Sequence, residues 1–279
     1  MTFTFGNEMG SFILFGSGSK DFCVCSVTGL EPVEISRSVK SYIGEDGCFE
    51  DSSQYVQRII TLSGDLRLDD NSKNKIRNAI RVLSRKCGLI IENNNSKRQI
   101  TVNSATFTLG KRYSKYQTFV IQLVCDYPHF ADVDQTECAI FKKNKLLTCE
   151  SVLPQVFSTR ISGCVVNNTG DLKLYPVINI TKTDDIIRDN EIVIENKTIN
   201  KSIVLYKTMA KDEIVTVDIK NRTITSSIEG NILGTLSQYS SLSEFWCDCG
   251  ENDINVLVGG AQTGIEIQLS YFNEYLEAI

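Results

Sequence analysis

At 279 residues, with 42% hydrophobic and 23% charged side chains, the chain has ordinary globular composition and room for two domains or one large β domain. That balance excludes a disordered or collagen-like chain, and apolar runs as short as Phe12-Ile13-Leu14-Phe15 exclude a helical membrane span. The net charge of −5 is uneven: residues 1–133 carry 16 basic and 14 acidic residues, and residues 134–279 carry 13 and 20, an acidic half ill-suited to gripping nucleic acid.

The opening "MTFTFGNEMG" has neither a basic n-region nor a long apolar core, so synthesis and folding in a cytoplasm are expected. In a reducing compartment the ten cysteines read as free thiols, most of them small apolar side chains. The Asn-Xaa-Ser/Thr triplets beginning at Asn94, Asn167, Asn179, Asn196, Asn200 and Asn221 arise by chance in a chain rich in Asn. "GSGS" at 16–19 precedes Lys20 but lacks the strand, loop and helix context of a phosphate-binding loop, and reads as a turn.

Strands follow at 22–27 ("FCVCSV"), 55–64 ("YVQRIITLSG"), 98–109 ("RQITVNSATFTL") and 116–125 ("YQTFVIQLVC"), all rich in β-branched and aromatic residues. One segment differs. From 70 to 87, Ile76, Ala79, Ile80, Leu83 and Cys87 recur at helical spacing, with Asp69, Asp70 or Asn71 to cap the start and Gly88 to end it. Lys73, Arg77, Arg81 and Arg85, at four-residue steps, form a basic stripe beside that face: a contact for an acidic partner, or an ordinary solvated face.

Downstream, 191–195 and 202–206 flank one hairpin turn, 214–219 and 222–227 another. Strands at 254–258 and 265–272 follow, separated by Gly259-Gly260, with Ile265, Ile267, Leu269 and Tyr271 sharing one face. Short strands spaced by turns suggest a β-sandwich. Between these pairs lies "SEFWCDCGENDINV", holding the single tryptophan, Trp246. Cys247 and Cys249, with Cys23 and Cys25, offer four thiolates, but zinc sites favour wider gaps on turns; no metal or cofactor is expected. Cys247 and Cys249 read as a strand end and Gly250 to Asp253 as a turn, with Phe245 and Trp246 facing opposite ways. The single histidine, His129, has no motif placing a nucleophile beside it, so a structural role is expected and no enzyme.

Several weak motifs in a fixed order resemble the distal tail protein family, baseplate hub components of long-tailed bacteriophages. They are "NNTGDLKLYPVINI" (167–180), "EIVTVDIKNRTIT", "SEFWCDCGENDINV" and a final "IEIQLSYFNEYL". Within them, Asn168, Gly170, Tyr175 and Pro176 match the family's turn-then-proline pattern, and Phe245, Trp246, Gly250 and Asn252 its aromatic pair followed by Gly and Asn. The first half resembles the family more loosely through "GLEPVEISRSV", an acidic loop with Gly47, "RIITLSGDL", the single helix and "FVIQLVCDYPHF". The cysteines at 247 and 249 depart from the pattern.

The resemblance implies a mainly β protein of two domains: a ring-forming N-terminal β domain (1–133) with one helix, and a C-terminal galectin-like β-sandwich (134–279). Its implied role is a virion adaptor at the tail tip, assembled in the host bacterial cytoplasm. A homohexameric ring would join the tail tube protein to the tip hub, tail-associated and receptor-binding proteins, with no sequence-specific nucleic acid contact and no membrane insertion. The rival reading is a carbohydrate-binding adhesin in which an exposed Trp246 stacks on a sugar.

Overall fold

A computed structural model describes residues 1–15, 22–44, 46–93, 96–145, 158–185, 189–259 and 264–278. The expected turn at 16–19, Lys20, Asn94, Cys149 and Gly260 lie outside them. The protein is mainly β, with one α-helix among the described residues, and its contacts divide it into two units, Met1–Val133 with Tyr275–Ile279, and Asp134–Glu274.

Unit 1 contains β1 (Thr2–Asn7), β2 (Gly10–Phe15), β3 (Phe22–Thr28), β4 (Ile35–Ser41), β5 (Cys48–Tyr55), β6 (Arg58–Arg67), α1 (Ser72–Leu83), β7 (Cys87–Asn93), β8 (Ser96–Val102), β9 (Ser104–Arg112), β10 (Tyr116–Cys125) and β11 (Phe130–Asp132). Its strands other than β4 and β5, with β23 (Glu274–Tyr275), build a ten-stranded sheet in the order β23-β11-β8-β7-β1-β2-β3-β6-β10-β9. Alternation separates the faces: in β6, Arg58, Ile60, Leu62, Gly64 and Leu66 are buried, in turn with neighbours that are half-buried or exposed. Phenylalanines cross this core, Phe5 stacking on its register partner Phe12 at 4.7 Å and Phe22 meeting Phe119 edge-on at 5.5 Å. Such pairs add about 0.5–1.5 kcal/mol beyond the area they bury.

Five details differ from the sequence reading. Residues 98–109 are not one strand but parts of β8 and β9, separated at Asn103. The 55–64 strand begins at Arg58, since Tyr55 ends β5. The acidic loop is a hairpin: β4 and β5 pair with each other to form a separate two-stranded sheet. The helix is shorter than 70–87, because Cys87 already pairs with Val102 in β7. Its buried face also differs: Ala79, Val82 and Leu83 are buried, whereas Ile80 is 48% exposed. Ile80 and Val82 flank the Ile76-Ala79-Leu83 stripe on opposite sides, and the sheet beneath covers the Val82 flank.

Unit 2 contains β12 (Thr136–Lys145), β13 (Ser158–Ile161), β14 (Gly163–Asn168), β15 (Val177–Lys182), β16 (Asp189–Asn196), β17 (Lys201–Thr208), β18 (Ile214–Asp218), β19 (Thr223–Ser226), β20 (Gly230–Asn231), β21 (Gly250–Val258) and β22 (Ile265–Tyr271). They form a seven-stranded sheet, β13-β12-β22-β15-β18-β19-β20, and a four-stranded sheet, β14-β21-β16-β17. One core joins them: Ile178, Ile180, Val217, Ile267 and Leu269 from the first meet Ile192, Ile194, Ile203, Ile254 and Val256 from the second. Unit 2 is therefore a β-sandwich. Both expected hairpins are present, β16–β17 and β18–β19, while β21 and β22 belong to different sheets.

Candidate functional site

Five of the eight family-pattern residues meet at one corner of unit 2, where the chain passes between the two sheets without forming a regular strand. Phe245 is fully buried and Trp246 half-buried, so the adjacent aromatics face core and margin respectively. Cys247 exchanges backbone hydrogen bonds with Leu174 at 2.8 and 2.9 Å. Three buried asparagines tie this stretch down. Asn252 accepts from the Asp248 amide at 2.9 Å and donates to the Asp248 carbonyl at 2.7 Å, closing a ring across Gly250. Asn196 donates to the Trp246 carbonyl at 2.8 Å, and Asn168 to the Cys247 carbonyl at 3.4 Å and to Leu172 at 2.8 Å.

Such side chains do for an irregular segment what a neighbouring strand does for a regular one, pairing backbone groups that water cannot reach. Gly250 sits at φ +92°, the left-handed region that glycine enters without strain. It is the first residue of β21, so Gly250–Asp253 is a strand start and not the expected turn; the chain bends one residue earlier, at Cys249. At the second motif, Gly170 accepts no side chain, because a Cβ there would collide with the Glu274 carbonyl. Pro176 is buried, and Tyr175, 38% exposed, stands on the surface away from the corner.

One ring face of Trp246 is occupied and its polar edge is bonded. The Lys173 ammonium sits 3.9 Å from its ring centre, and its indole N–H donates to Asp248 at 3.0 Å. The basic stripe, by contrast, is open: Lys73, Arg77, Arg81 and Arg85 are exposed and form no ion pair among the described residues. Arg85 lies beyond the end of α1.

Sequence reasoning missed two residues. Asn196, read as a chance sequon, is fully buried at the corner. Arg58 is 1% exposed in unit 1 and donates to four carbonyls, those of Gly29, Glu31, Pro128 and Leu276, at 2.6–2.7 Å, with its guanidinium 4.4 Å from the Phe130 ring centre. Burial pulls its pKa below the usual arginine value, yet five fixed donors facing four carbonyls keep the cation satisfied. Nothing in the hydrophobic period marks either residue.

Among the described residues, no three His, Cys, Asp or Glu side chains lie close enough to hold a metal ion. Cys247 is buried and Cys249 exposed, while Cys25 sits at the irregularity where Val24 and Ser26 pair with consecutive residues of β6. Burial pushes the thiols of Cys87 up to about 11 and of Cys125 and Cys247 up to about 12, the reverse of what a thiolate ligand or nucleophile needs. His129 lies between the edges of Tyr55 and Tyr127, at 4.8 and 5.1 Å.

No protein-family model matches the chain, and no curated protein matches it in sequence. Solved structures do. The phage SPP1 Dit (gp 19.1) protein, described as a paradigm of the hub adsorption apparatus in phages infecting Gram-positive bacteria, superposes with a TM-score of 0.66 at 12% identity, over 97% of this chain and 98% of that one. Chains of the phage P2 baseplate in its activated conformation, with Ca and with Sr, align at TM-scores of 0.45 and 0.44 with 10% and 9% identity, covering 96% of this chain and 97% of theirs. From its first strand to its last, the chain has the fold of the SPP1 Dit protein.

Proposed function

We propose that this protein is a structural component of a bacteriophage tail tip, a distal tail adaptor located in the virion. The observation that carries this reading is a single superposition on the SPP1 Dit protein spanning 97% of the chain, so both units match together and in order. In this reading unit 1 closes into a homohexameric ring beneath the tail tube, and unit 2 is a galectin-like sandwich on the periphery. The ring joins the tail tube protein to the tip hub and the receptor-binding machinery. Three features support a scaffold over an enzyme: the family-pattern residues at the corner serve backbone architecture, the buried thiols are held protonated, and the lone histidine packs against two tyrosines. The adhesin alternative is the less favoured, since Lys173 occupies one face of Trp246 and leaves at most the other for a sugar.

The charge division fits the same arrangement. Seven surplus negative charges on each copy of residues 134–279 repel if crowded around an axis, whereas residues 1–133, at net +2, do not. Light scattering combined with negative-stain microscopy tests the reading. The expected species is a six-membered ring formed by the full chain, at high concentration or with its tube and hub partners. A chain that stays monomeric in all these settings, or a glycan-binding monomer, overturns it.

A further inference from the structure

The β4–β5 hairpin stands uncovered on both faces. It pairs only with itself, and every described residue of the two strands except Tyr55 is exposed. Two-stranded hairpins are marginal in water unless something covers them. Its exposed residues are also of the wrong kind for permanent solvation: Val39 is 58% exposed, Tyr42 49%, Phe49 42%, and Ile43 at the tip is fully exposed. Tyr42 and Phe49 lie with ring centres 5.3 Å apart, forming one apolar patch near that tip. Contiguous exposed apolar groups with a charged surround mark interaction surfaces. The surround here is acidic, for residues 31–55 contain six acidic and two basic side chains.

The opposite surface exists on the same unit. Between Asn71 and Cys87 the chain carries six basic residues and no acidic one. The outward face of α1 shows Lys73, Arg77 and Arg81 around Ile80, which is 48% exposed. This is an apolar centre within a basic rim, the complement of an apolar hairpin within an acidic one. Within one copy the two do not meet, since both remain exposed.

We propose that the β4–β5 hairpin of one copy docks across the outward face of α1 of a second copy. This docking rests on the ring reading above and supplies its contact. Because the two patches differ, each copy uses its hairpin on one neighbour and its helix on the other. Such a heterologous contact closes rings or extends filaments and does not stop at a two-fold dimer. Charge complementarity sets the register of approach, and burial of Ile43, Phe49 and Ile80 supplies the attraction.

The test is sedimentation velocity of the full chain over a concentration series up to the millimolar range, at low and high salt. Two charge-reversed forms are compared with the native chain: Arg77→Glu with Arg81→Glu on the helix, and Asp46→Lys with Glu50→Lys on the hairpin. All four sites are exposed, and unchanged circular dichroism verifies folding of each form. Each form by itself is expected to weaken self-association by more than about tenfold, because like charges are brought together. The two forms mixed with each other, or combined in one chain, are expected to recover it. A third form, Ile43→Ser, should weaken association at both salt concentrations. Association that is unchanged in the reversed forms, or lost in each but not recovered by their combination, overturns this docking and leaves the ring reading standing. A native chain that remains monomeric throughout overturns this docking, and one that stays monomeric with its tube and hub partners as well overturns both. Salt-dependent capture of duplex DNA that is lost in the helix form, while self-association is not, identifies a different occupant for α1 and overturns the proposal.

Discussion

Single side chains at two places hold segments that no sheet holds. Arg58 is one. Its four carbonyl acceptors come from three separate stretches of chain, so truncation leaves several buried acceptors unpaired at once. Arg58→Met is expected to destabilise unit 1 by about 3 kcal/mol or more, read as a shift of the denaturation midpoint, since each orphaned buried group costs ~1–3 kcal/mol. Phe245 is the other. As a fully buried aromatic, its replacement by Ala is expected to cost ~3–5 kcal/mol, against much less for half-exposed Trp246. The buried thiols add a pH dependence whose sign follows from their direction. An unfolded thiol ionises near 9, whereas folded Cys87, Cys125 and Cys247 hold their protons to about 11 or 12. Above pH 9 the unfolded chain binds fewer protons than the folded one, so stability present below that pH is lost as pH rises from 9 to about 12. Urea midpoints measured from pH 7 upward should therefore fall in the alkaline limb, and Cys125→Ala with Cys247→Ala should flatten that fall. At pH 8 a thiol reagent should label exposed Cys48 and Cys249 promptly and Cys87, Cys125 and Cys247 only on unfolding.

Elements were legible from the sequence wherever one face is buried and the other wet. β22 alternates apolar and polar residues from Ile265 to Tyr271, with Ser270 alone of its polar positions buried, and the hairpins β16–β17 and β18–β19 show the same period, because the sandwich core dictates it. The β4–β5 hairpin escaped for the converse reason: neither of its faces is covered, so its residues carry no alternation to read. Strands β8 and β9 merged because Asn103 separates them without a Gly or Pro. The corner at Trp246 was only half visible. Asn168 and Asn252 stood out through the family pattern, but Asn196 did not, since a buried asparagine bonded to backbone leaves no periodic trace. In α1 the period placed a helix correctly and could not say which flank met the sheet. That flank is testable: Leu83→Ala should cost ~2–5 kcal/mol, as for other buried leucines. Ile80→Ala should stay within about 0.5 kcal/mol in thermal unfolding of the monomer, since an exposed side chain loses little. Equal costs at both sites would mean that the helix is rotated about its axis relative to the structure described.

At the scale of the whole chain, the division of labour turns on the last residues. The sequence reading assigned everything after 133 to the second domain, and a linear reading could do no other, since nothing in "NEYLEAI" distinguishes a sandwich end from a returning tail. The contacts place Tyr275–Ile279 with unit 1. The reason is chemical: the Leu276 carbonyl accepts from Arg58 at 2.6 Å, the Tyr275 ring lies 3.1 Å from the Arg98 guanidinium carbon, and the Ala278 amide donates to Leu30 at 3.2 Å. Tyr275 and Ala278 are also part of the unit 1 core. Unit 2 has its own core and needs none of these contacts. A chain ending at Glu274 should therefore lower the unfolding temperature of unit 1 alone, through an orphaned Arg58 donor and an uncovered core edge, while the transition of unit 2 stays in place. Residues 134–274 expressed by themselves should form a soluble monomer melting at that same temperature. Calorimetry of the three proteins reads this directly, and a truncation that shifts the sandwich transition instead would assign the tail to unit 2.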